Sequence, residues 1–517
     1  MAFRVRPLRM TLDRMTLDRM ALAAWHSVGT QCHSACMAQT SLGATSSSGT
    51  PSSGTAQAWA ALGGDPTLLG RVRYEGTGGL PAELPVMELA RSSVAVCALA
   101  AAELAARRTG GQVPSVRVDD GAVTAAFLSD RLVRVDGEAP TTFAPLSRFW
   151  RAADGWVRTH ANYPHHRAWL LAGLGLPGDA GVEAVAAEIG GRRVAEVEET
   201  VYAAGGLAVA ARTPQEWAAH EQGALAATHP LLTIAPVDAS SVREAAGQPP
   251  RGFPDLTGGT LLPAAGLRVL DLTRVLAGPV ATRTLALLGA DVLRIDAPQL
   301  PESQEAHNDT GMGKRSTRLD LSDRGGDRRT FEELLESADV VVLGYRPGAL
   351  DQFSGMGPAE LAVRNPRLVI AQLSAWGGYG PWGGRRGFDS LVQVATGIAA
   401  IEGDAEQLGA LPAQALDHGT GYLLAAGVLR ALTEQADDGR ARLVRLALTQ
   451  TAAWLVNGLG KGPAGETVPY DPEPWLTLTD SPMGRLRHAL PPVSFAGGPV
   501  NWARPSGRWG TDAPEWR

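Results

Sequence analysis

Short apolar runs alternate with amphipathic stretches through the second half of the chain, and this alternation predicts a mostly parallel α/β sheet. The predicted buried strands are GLRVLDL, DVLRID, DVVVLGY and RLVIAQLS. Helical patterns lie between them, among them GPVATRTLALLGA and TFEELLESA. Strands and helices that alternate in this way form βαβ units, whose helices cover the faces of a parallel sheet.

The first half of the chain has a different pattern, a long helix followed by shorter elements. The helix is predicted over about 87–108, and the strand-like pieces SVRV and RLVRVDG come after it. Further along, FWRAADGWVRTHANYPHHRAWLLAGLGL predicts a β-hairpin that turns at Asp154 and Gly155 and leads into a helix. His165 and His166 begin that helix without a carboxylate partner in view, so we expect surface or packing histidines.

Two segments lack the periodicity of helices and strands. Residues 1–56 repeat MTLDR and then run through SLGATSSSGTPSSGTA, a low-complexity stretch that predicts a disordered N-terminal extension. Residues 241–264 are rich in turn-forming residues and are predicted to be a linker. We therefore expect ordered structure over 57–240 and again after 264.

An internal repeat relates the two halves. LARSSVAVCALAAAELAARRTGGQVPSVRV and DHGTGYLLAAGVLRALTEQADDGRARLVRL align without gaps at an offset of 328 residues. In both, a helix of small residues leads through a glycine-containing turn into a basic strand, with Arg117 against Arg445. The same offset sets Leu89 against Asp417, so the first copy is expected to lack an acid at that position.

Composition and charge exclude several classes of function. The chain is 44% hydrophobic and 19% charged with a net charge of −6, which gives no footprint for nucleic acid or a membrane surface. No uninterrupted apolar run reaches the roughly 18 residues of a membrane span. The cysteines, Cys32, Cys36 and Cys97, predict a reducing, cytoplasmic setting. Cys32, His33 and Cys36 lack the second ligand pair of a zinc site, so no metal is expected.

Asp417 stands at the start of the apolar helix in ALDHGTGYLLAAGVLRAL and allows two interpretations. It could be the N-cap of a helix that begins near His418. It could instead be a reactive carboxylate, kept ionised by the positive end of the helix dipole. In that case Gly419 and Gly421 would admit a ligand and donate N–H groups to a developing oxyanion. The neighbouring residues alone do not decide between the two.

Basic and acidic residues at predicted strand ends are the other candidates. Arg274 follows GLRVLDL, and Ala277 and Gly278 open a helix whose N-terminus can bind phosphate. Lys314 and Arg315 in GMGKRS form a cationic pair able to meet a phosphate, although the segment is not a P-loop.

Two further positions follow predicted strands. Arg346 in GYRPGAL is expected at the carboxyl edge of the sheet, where ligands usually bind. Asp389 in RRGFDSL begins a predicted helix and is expected to be a cap rather than a catalyst.

Taken in order, these pieces resemble family III CoA-transferases, the superfamily of formyl-CoA and carnitine CoA-transferases and α-methylacyl-CoA racemases. The resemblance covers about 266–446. The matching stretches are GLRVLDLTRVLAGPVATRTLALLGADVLRID, GKRSTRLDLSD, ADVVVLGYRPGALDQF, NPRLVIAQLSAWGGYGPWGGRRGFDSLVQVATG and ALDHGTGYLLAAGVLRAL.

The resemblance implies a Rossmann-like large domain with a parallel sheet and a smaller α+β domain, here in rearranged order, because the small domain precedes the catalytic helix. The implied segments are 57–240, a partial first copy with the small α+β domain, 265–460, the large α/β domain, and 461–517, a C-terminal return segment. Family members interlock as dimers, so either a homodimer or a substitute for it within one chain is implied.

The resemblance also implies a reaction. Asp417 would be the nucleophile that moves CoA between an acyl-CoA and a small carboxylic acid through an acyl-aspartyl anhydride and an aspartyl-CoA thioester. CoA is then a substrate, with no permanently bound cofactor. The residues implied or expected to contact it are Arg274, Ala277, Gly278, Lys314, Arg315 and Arg346.

Departures from the family pattern define the alternatives. Racemase members carry Gly-His-Asp where this chain has Gly387, Phe388 and Asp389. Racemisation needs a base on each face of the α-carbon, so an acyl-CoA racemase or isomerase ranks below a transferase. Gly311 and Gly344 stand where the family usually has asparagine, and an inactive CoA-binding homologue is the third alternative.

Overall fold

The computed structural model describes residues 52–76, 78–141, 143–237, 256, 259–322, 325–350, 353, 355–404, 406–460 and 470–517. Residues 1–51, with the Cys32, His33 and Cys36 group, and most of the predicted linker lie outside the described residues. The first described helix begins at Ser53, four residues before the predicted boundary at 57.

The elements of the first part follow a long central helix. In chain order they are α1 (Ser53–Ala61), β1 (Val72–Glu75), α2 (Val86–Thr109), β2 (Val116–Asp119), α3 (Asp120–Phe127), α4 (Ser129–Leu132) and β3 (Arg134–Val135). The predicted strand in RLVRVDG is therefore wrong at its start, where α4 ends at Leu132.

A small α+β unit comes next, and it confirms the predicted hairpin and helix. Its elements are β4 (Phe149–Arg151), β5 (Trp156–Thr159), α5 (Pro164–Leu174), α6 (Val182–Gly190), α7 (Val194–Ala203) and β6 (Ala208–Ala210). The three strands pair antiparallel, and their apolar faces pack with the three helices in one core. The chain then continues through α8 (Pro214–Ala219), α9 (Glu221–Thr228) and β7 (Leu232–Pro236).

The second part contains the predicted alternation of strands and helices. It comprises β8 (Arg268–Leu272), α10 (Ala277–Leu287), β9 (Asp291–Asp296), α11 (Gln304–Thr310), β10 (Arg315–Arg318), α12 (Gly326–Glu336), β11 (Val340–Leu343), α13 (Pro358–Arg364), β12 (Val369–Ser374), α14 (Asp389–Ala395), α15 (Ile398–Ile401), α16 (Ala415–Asp438), β13 (Arg442–Ala447) and α17 (Leu448–Ala453). The C-terminal strands are β14 (Leu476–Ser481), β15 (Gly484–Ala489) and β16 (Ser494–Phe495).

One large sheet organises this part, with the strand order β10-β9-β8-β11-β12-β13-β7. The strands from β8 to β13 pair parallel, as predicted, and β7 adds antiparallel to β13. The chain runs outward in one direction from β8 to β10 and in the other from β11 to β13. The point where the order reverses leaves a crevice between the carboxyl ends of β8 and β11, where parallel sheets bind ligands.

Helices α2 and α16 show the internal repeat, with a correction to its register. Both have 24 residues, and their caps, Pro85 and Gln414, share an unusual backbone conformation with ψ of 57° and 63°. Both end at a left-handed glycine, Gly110 and Gly439, each with φ of 68°. Since left-handed backbone favours glycine, these ends are equivalent, and Gly439 minus Gly110 is an offset of 329.

The strands keep the predicted offset of 328, because Arg117 and Arg445 are the exposed residues of β2 and β13. The segment from the terminal glycine of α2 to Arg117 is therefore one residue longer than the segment from the terminal glycine of α16 to Arg445. The ungapped alignment is wrong within the helices. Glu88, not Leu89, is the counterpart of Asp417. The expectation that the first copy lacks an acid is overturned.

Helix α2 is long and apolar enough to cross a membrane by length and composition alone. Of its most apolar stretch, 89% is buried inside the fold, where it packs against α16. Burial of this kind explains its hydropathy as that of a core helix.

Candidate active site

A cavity of about 560 Å³ lies at the switch point of the large sheet. Its walls include the turn after β8, the loop after β11 and the first turn of α16, while residues of the small unit close it from another side. Four of the residues predicted from sequence line this cavity, namely Arg274, Ala277, Arg346 and Asp417. The fold thus brings together residues that are up to 143 positions apart in the sequence.

The turn after β8 is strained. Val275 has φ of 70°, a left-handed conformation that costs a β-branched residue about 1–3 kcal/mol. Arg274 beside it donates to the carbonyl of Pro301 at 3.0 Å and lies 3.5 Å from the Glu302 carboxylate. Gly278 does not line the cavity. A Cβ there would come within 2.4 Å of Thr273, so this glycine permits α10 to pack against the turn.

Lys314 and Arg315 line neither this cavity nor the second one described below, because each is bound in an ion pair. Lys314 Nζ donates to Asp271 Oδ2 at 2.9 Å, and both side chains are fully buried. Burial lowers the pKa of Lys314 to about 8, against the opposing effect of Asp271. Arg315 donates two hydrogen bonds to Asp291, at 2.8 and 2.9 Å. Lys314 and Arg315 are therefore not available to bind CoA in this cavity.

Asp417 is not the N-cap of its helix. Helix α16 begins at Ala415 after Gln414, which makes no side-chain capping bond, so Asp417 is the third helical residue. The capping carboxylate comes from Asp389, whose Oδ2 accepts the Asp417 N–H at 2.9 Å. Asp389 is thus a cap, as predicted, but of α16 rather than of its own helix α14. Freed from capping, the Asp417 side chain lines the cavity.

Gly419 and Gly421 do not form the expected oxyanion site. Both lie inside α16, where helix geometry directs their N–H groups to the carbonyls four residues back. A Cβ at Gly421 would come within 2.6 Å of the Ala277 carbonyl, and one at Gly419 would touch Leu89 at 3.4 Å. These glycines therefore let α10 and α2 pack closely against α16.

The electrostatic surroundings of Asp417 also differ from the prediction. Burial raises its pKa well above the usual range, and the nearby carboxylates of Asp389 and Asp130 raise it further. Burial likewise raises the pKa of Asp389 to about 6, although the N–H groups at the start of α16 and the Gln393 amide favour its anion. Desolvation and like charges outweigh the helix dipole, so the expectation that the helix terminus keeps Asp417 ionised is wrong.

Asp130, which lies in α4, approaches Asp417 and Asp389 from the first part of the chain. Its Oδ1 lies 3.9 Å from His418 Nε2, and the His418 ring stacks on Phe127 with centroids 5.1 Å apart. Burial opposes ionisation of Asp130, but His418 and Arg131 outweigh that effect and lower its pKa. Asp130 is therefore an anion close to the start of α16.

Glu88, the counterpart of Asp417 in α2, has a different environment. Its Oε1 accepts the N–H of Gly54 at 3.2 Å and the hydroxyl of Ser92 at 3.1 Å. The start of α1 occupies the space beside it. Glu88 lines neither of the two cavities described here.

The sequence analysis missed a group of ring-bearing residues on the cavity wall. Tyr163, His165, His166 and Trp169, all from the start of α5 or next to it, line the cavity together with Phe388. His165 and His166 were expected to be surface or packing residues, and His166 does pack, with 4% of its surface exposed. The only signal in the sequence was the density of rings in YPHHRAW. Nothing local shows that this segment folds over the sheet edge.

A second cavity of about 560 Å³ lies on the other side of the loop after β11. It shares Tyr345 and Arg346 with the first cavity and is lined further along by His229, Tyr379 and Arg445. Asp417 is not among its lining residues.

Comparison with known proteins agrees with the resemblance. Residues 264–466 match the family model of CoA-transferase family III. Acetyl-coenzyme A transferase nodX of Hypoxylon pulicicidum is 34% identical over 238 residues, which are 44% of this chain and 38% of that protein. Formyl-CoA:oxalate CoA-transferase of Streptomyces coelicolor is 35% identical over 196 residues, 35% of this chain and 47% of that protein.

A solved structure also matches. The crystal structure of Rv3272 from M. tuberculosis is 34% identical, covers 39% of this chain and 57% of that chain, and superposes with a TM-score of 0.36. The curated relative of that name, a probable fatty acyl-CoA transferase, is matched over 52% of its length. The chain thus spans about half the length of the relatives it matches. Its residues 264–466 are similar to CoA-transferase family III, in agreement with the resemblance read from the sequence.

Proposed function

We propose that the chain is a CoA-transferase that moves CoA between an acyl-CoA and a carboxylic acid through a thioester on Asp417. One observation carries the proposal: the Asp417 carboxylate lines a large cavity at the switch point of the sheet, within the family III region. A Rossmann-like arrangement of the sheet, with CoA as a substrate at its carboxyl edge, is part of the proposal.

The charges of the cavity support an anionic substrate such as CoA. Arg274, Arg346, Arg385 and Arg386 all line it, and guanidinium groups suit phosphate oxygens. Asp417 and Asp320 are the carboxylates among its lining residues. At Gly344, where the family usually has asparagine, a Cβ would come within 3.1 Å of Thr273, so this backbone packs tightly without a side chain.

The proposed reaction has four balanced steps and consumes no proton overall. The Asp417 carboxylate attacks the thioester carbonyl of acyl-CoA, forming a mixed anhydride and releasing the CoA thiolate. The thiolate attacks the aspartyl carbonyl and releases the first acid as its carboxylate. The second acid's carboxylate attacks the aspartyl-CoA thioester and expels the thiolate again. The thiolate then attacks the new acyl carbonyl, which yields the new acyl-CoA and restores Asp417.

The protonation of Asp417 follows from its surroundings. Only the ionised carboxylate attacks, and burial together with Asp389 and Asp130 raises the pKa at which that form appears. Nearby positive charge must therefore stabilise the ionised Asp417 carboxylate when substrate is bound. The arginines of the cavity supply positive charge for this purpose.

The pH dependence tests this electrostatic account. In Asp130→Asn, removal of a negative charge should lower the pKa of Asp417, so the ionised nucleophile should form at lower pH. We expect the acid limb of the kcat/KM profile for CoA transfer to move toward lower pH. The control is Asp480→Asn on the exposed strand β14, which should keep the wild-type profile. An unchanged acid limb in Asp130→Asn would show that Asp130 does not act on the nucleophile.

A covalent adduct on Asp417 is the most direct test of the function. The full chain is incubated with acetyl-CoA, treated with hydroxylamine or borohydride, digested and analysed by mass spectrometry. We expect the hydroxamate or the reduced aspartyl side chain at Asp417 and at no other carboxylate. An unmodified Asp417 after turnover of acyl-CoA would contradict the transferase.

One structural observation supports the racemase alternative. Phe388 replaces the family histidine, yet His165 and His166 bring imidazole rings to the same cavity from the small unit. The same incubation, carried out in deuterated water, distinguishes the two functions. Exchange of the α-proton without an Asp417 adduct would favour the racemase, and neither exchange nor adduct would favour an inactive CoA-binding homologue.

A further inference from the structure

We propose that the carboxylic acid exchanged at Asp417 carries an aromatic ring, held by a ring wall made of Tyr163, His166, Trp169 and Phe388. This inference rests on the proposed transferase and names its substrate class. It follows from three observations: the rings pack on one another, they line the same cavity as Asp417, and two arginine side chains lie over them.

The ring wall is built before any substrate arrives, because its members pack on one another. Phe388 stacks face to face on His160 with centroids 3.8 Å apart and an angle of 4° between the planes. His166 meets Phe388 edge-on at 5.7 Å and Tyr163 edge-on at 5.3 Å. Trp169 lies 5.9 Å from His166. Edge and face contacts of this kind fix the ring planes and leave a surface suited to another ring.

The ring wall borders the nucleophile. Phe388 directly precedes Asp389, and the Asp389 carboxylate accepts the N–H of Asp417 at 2.9 Å. Asp417 and the four rings line the same cavity, and so do Leu319, Asp320 and Ser322 just beyond β10. In the proposal, the acyl group that reacts at Asp417 contacts the rings, and the nucleotide of CoA lies along the sheet edge.

Two guanidinium groups flank the rings. Arg274 lies over the Tyr163 ring at 4.9 Å, and Arg386 lies over the Trp169 ring at 5.0 Å. Both line the cavity and can bind the carboxylate of an acid whose ring contacts the wall. Glu302 accepts a hydrogen bond from the Tyr163 hydroxyl at 2.8 Å, and its charge is balanced by the guanidinium groups of Arg274 at 3.5 Å and Arg294 at 3.4 Å.

His166 adds a polar group within the wall. Its Nδ1 is buried and has no hydrogen-bond partner among the residues that the structure describes. Burial, with the neighbouring positive charges, lowers the pKa of His166 to about 2, so the ring is neutral and offers one donor and one acceptor. His166 therefore adds no charge to the ring wall, and the positive charge beside the rings comes from Arg274 and Arg386.

The test measures CoA transfer by the full chain to several acids, among which phenylacetate and cyclohexylacetate are matched in size. CoA transfer from acetyl-CoA to phenylacetate, cyclohexylacetate, cinnamate, butyrate and oxalate is followed by chromatography of the product thioesters. We expect kcat/KM for phenylacetate to exceed that for cyclohexylacetate by about 3–10-fold, the range of one ring–ring contact. In Trp169→Leu this ratio should fall toward one, while Trp169→Phe should retain it. The control is Trp156→Leu on β5, which does not line the cavity and should keep the wild-type ratio.

Binding of CoA alone, measured by calorimetry, separates the outcomes. Unchanged CoA affinity in Trp169→Leu together with the lost ring preference would support the proposal. Equal or better use of cyclohexylacetate by the wild type would overturn it, as would a loss of CoA affinity with the acid preference intact, which would make the wall an adenine platform. Neither of these two results would contradict the proposed transferase function. Transfer to no acid, with no adduct on Asp417, would overturn the proposed function and this inference together.

Discussion

Asp417→Asn is expected to lower the rate of CoA transfer by at least about 10³-fold, because it removes the nucleophile that we propose for both covalent intermediates. Asparagine has nearly the shape of aspartate, and the N–H that caps against Asp389 belongs to the backbone, so α16 keeps its start. The side chain that changes lies on the cavity wall. We therefore expect loss of turnover with little loss of CoA binding, and no adduct in the trapping experiment.

Glu88→Gln is the matched control for this variant. Glu88 holds the equivalent place in α2, but its carboxylate binds Gly54 and Ser92 rather than lining a cavity. Its replacement is expected to leave CoA transfer within about 2-fold of the wild type, at a cost of about 1 kcal/mol in the free energy of unfolding. Activity that survived in Asp417→Asn but disappeared in Glu88→Gln would assign the reaction to the carboxylate at the start of α2.

Lys314→Met should have the largest effect on stability, lowering the free energy of unfolding by about 3–5 kcal/mol. The Lys314 ammonium faces Asp271, and both side chains are fully buried. Asp271 also accepts hydrogen bonds from the hydroxyls of Thr273 and Thr282, at 2.5 and 2.6 Å. Without the ammonium, a buried carboxylate loses its counterion in the centre of the sheet. Urea denaturation followed by circular dichroism measures the change.

The double variant Lys314→Met, Asp271→Asn is the control. It removes both charges of the pair, so most of the lost stability should return. CoA affinity should stay within about 3-fold of the wild type in the double variant. A loss of CoA affinity without a loss of stability in Lys314→Met would restore the expectation from sequence that this lysine binds phosphate.

Much of the large sheet could be predicted because its strands are buried on both faces. DVLRID and RLVIAQLS occupy β9 and β12 almost residue for residue, since a buried parallel strand reads as a short apolar run. The hairpin at Asp154 and Gly155 followed in the same way from a local turn signal. In RLVRVDG, by contrast, alternating side chains predicted a strand that forms only at Arg134 and Val135, because α4 extends to Leu132.

Asp417 was a candidate from the sequence and it does line the cavity, but its environment was not predicted. Asp417 precedes an apolar run, and this pattern placed it at a helix start. Which carboxylate caps that helix depends on Asp389, 28 residues earlier in the chain. Whether Asp417 is ionised depends on its burial and on Asp130, a residue of the other half. The sequence pattern does not show that Asp389 and Asp130 lie close to Asp417 in the fold.

The sequence by itself determined the order of strands and helices, the resemblance to family III CoA-transferases and the acid at the head of the second long helix. These depend on local hydrophobic period and on motifs whose residues are neighbours in the chain. Only the tertiary structure decided which residues meet at the switch point of the sheet. It removed Lys314 and Arg315 from the cavity by pairing each with an aspartate, and it brought Tyr163, His166 and Trp169 into the same cavity as Asp417. Charge pairing and packing act between residues that are distant in sequence, so they appear only once the chain is folded.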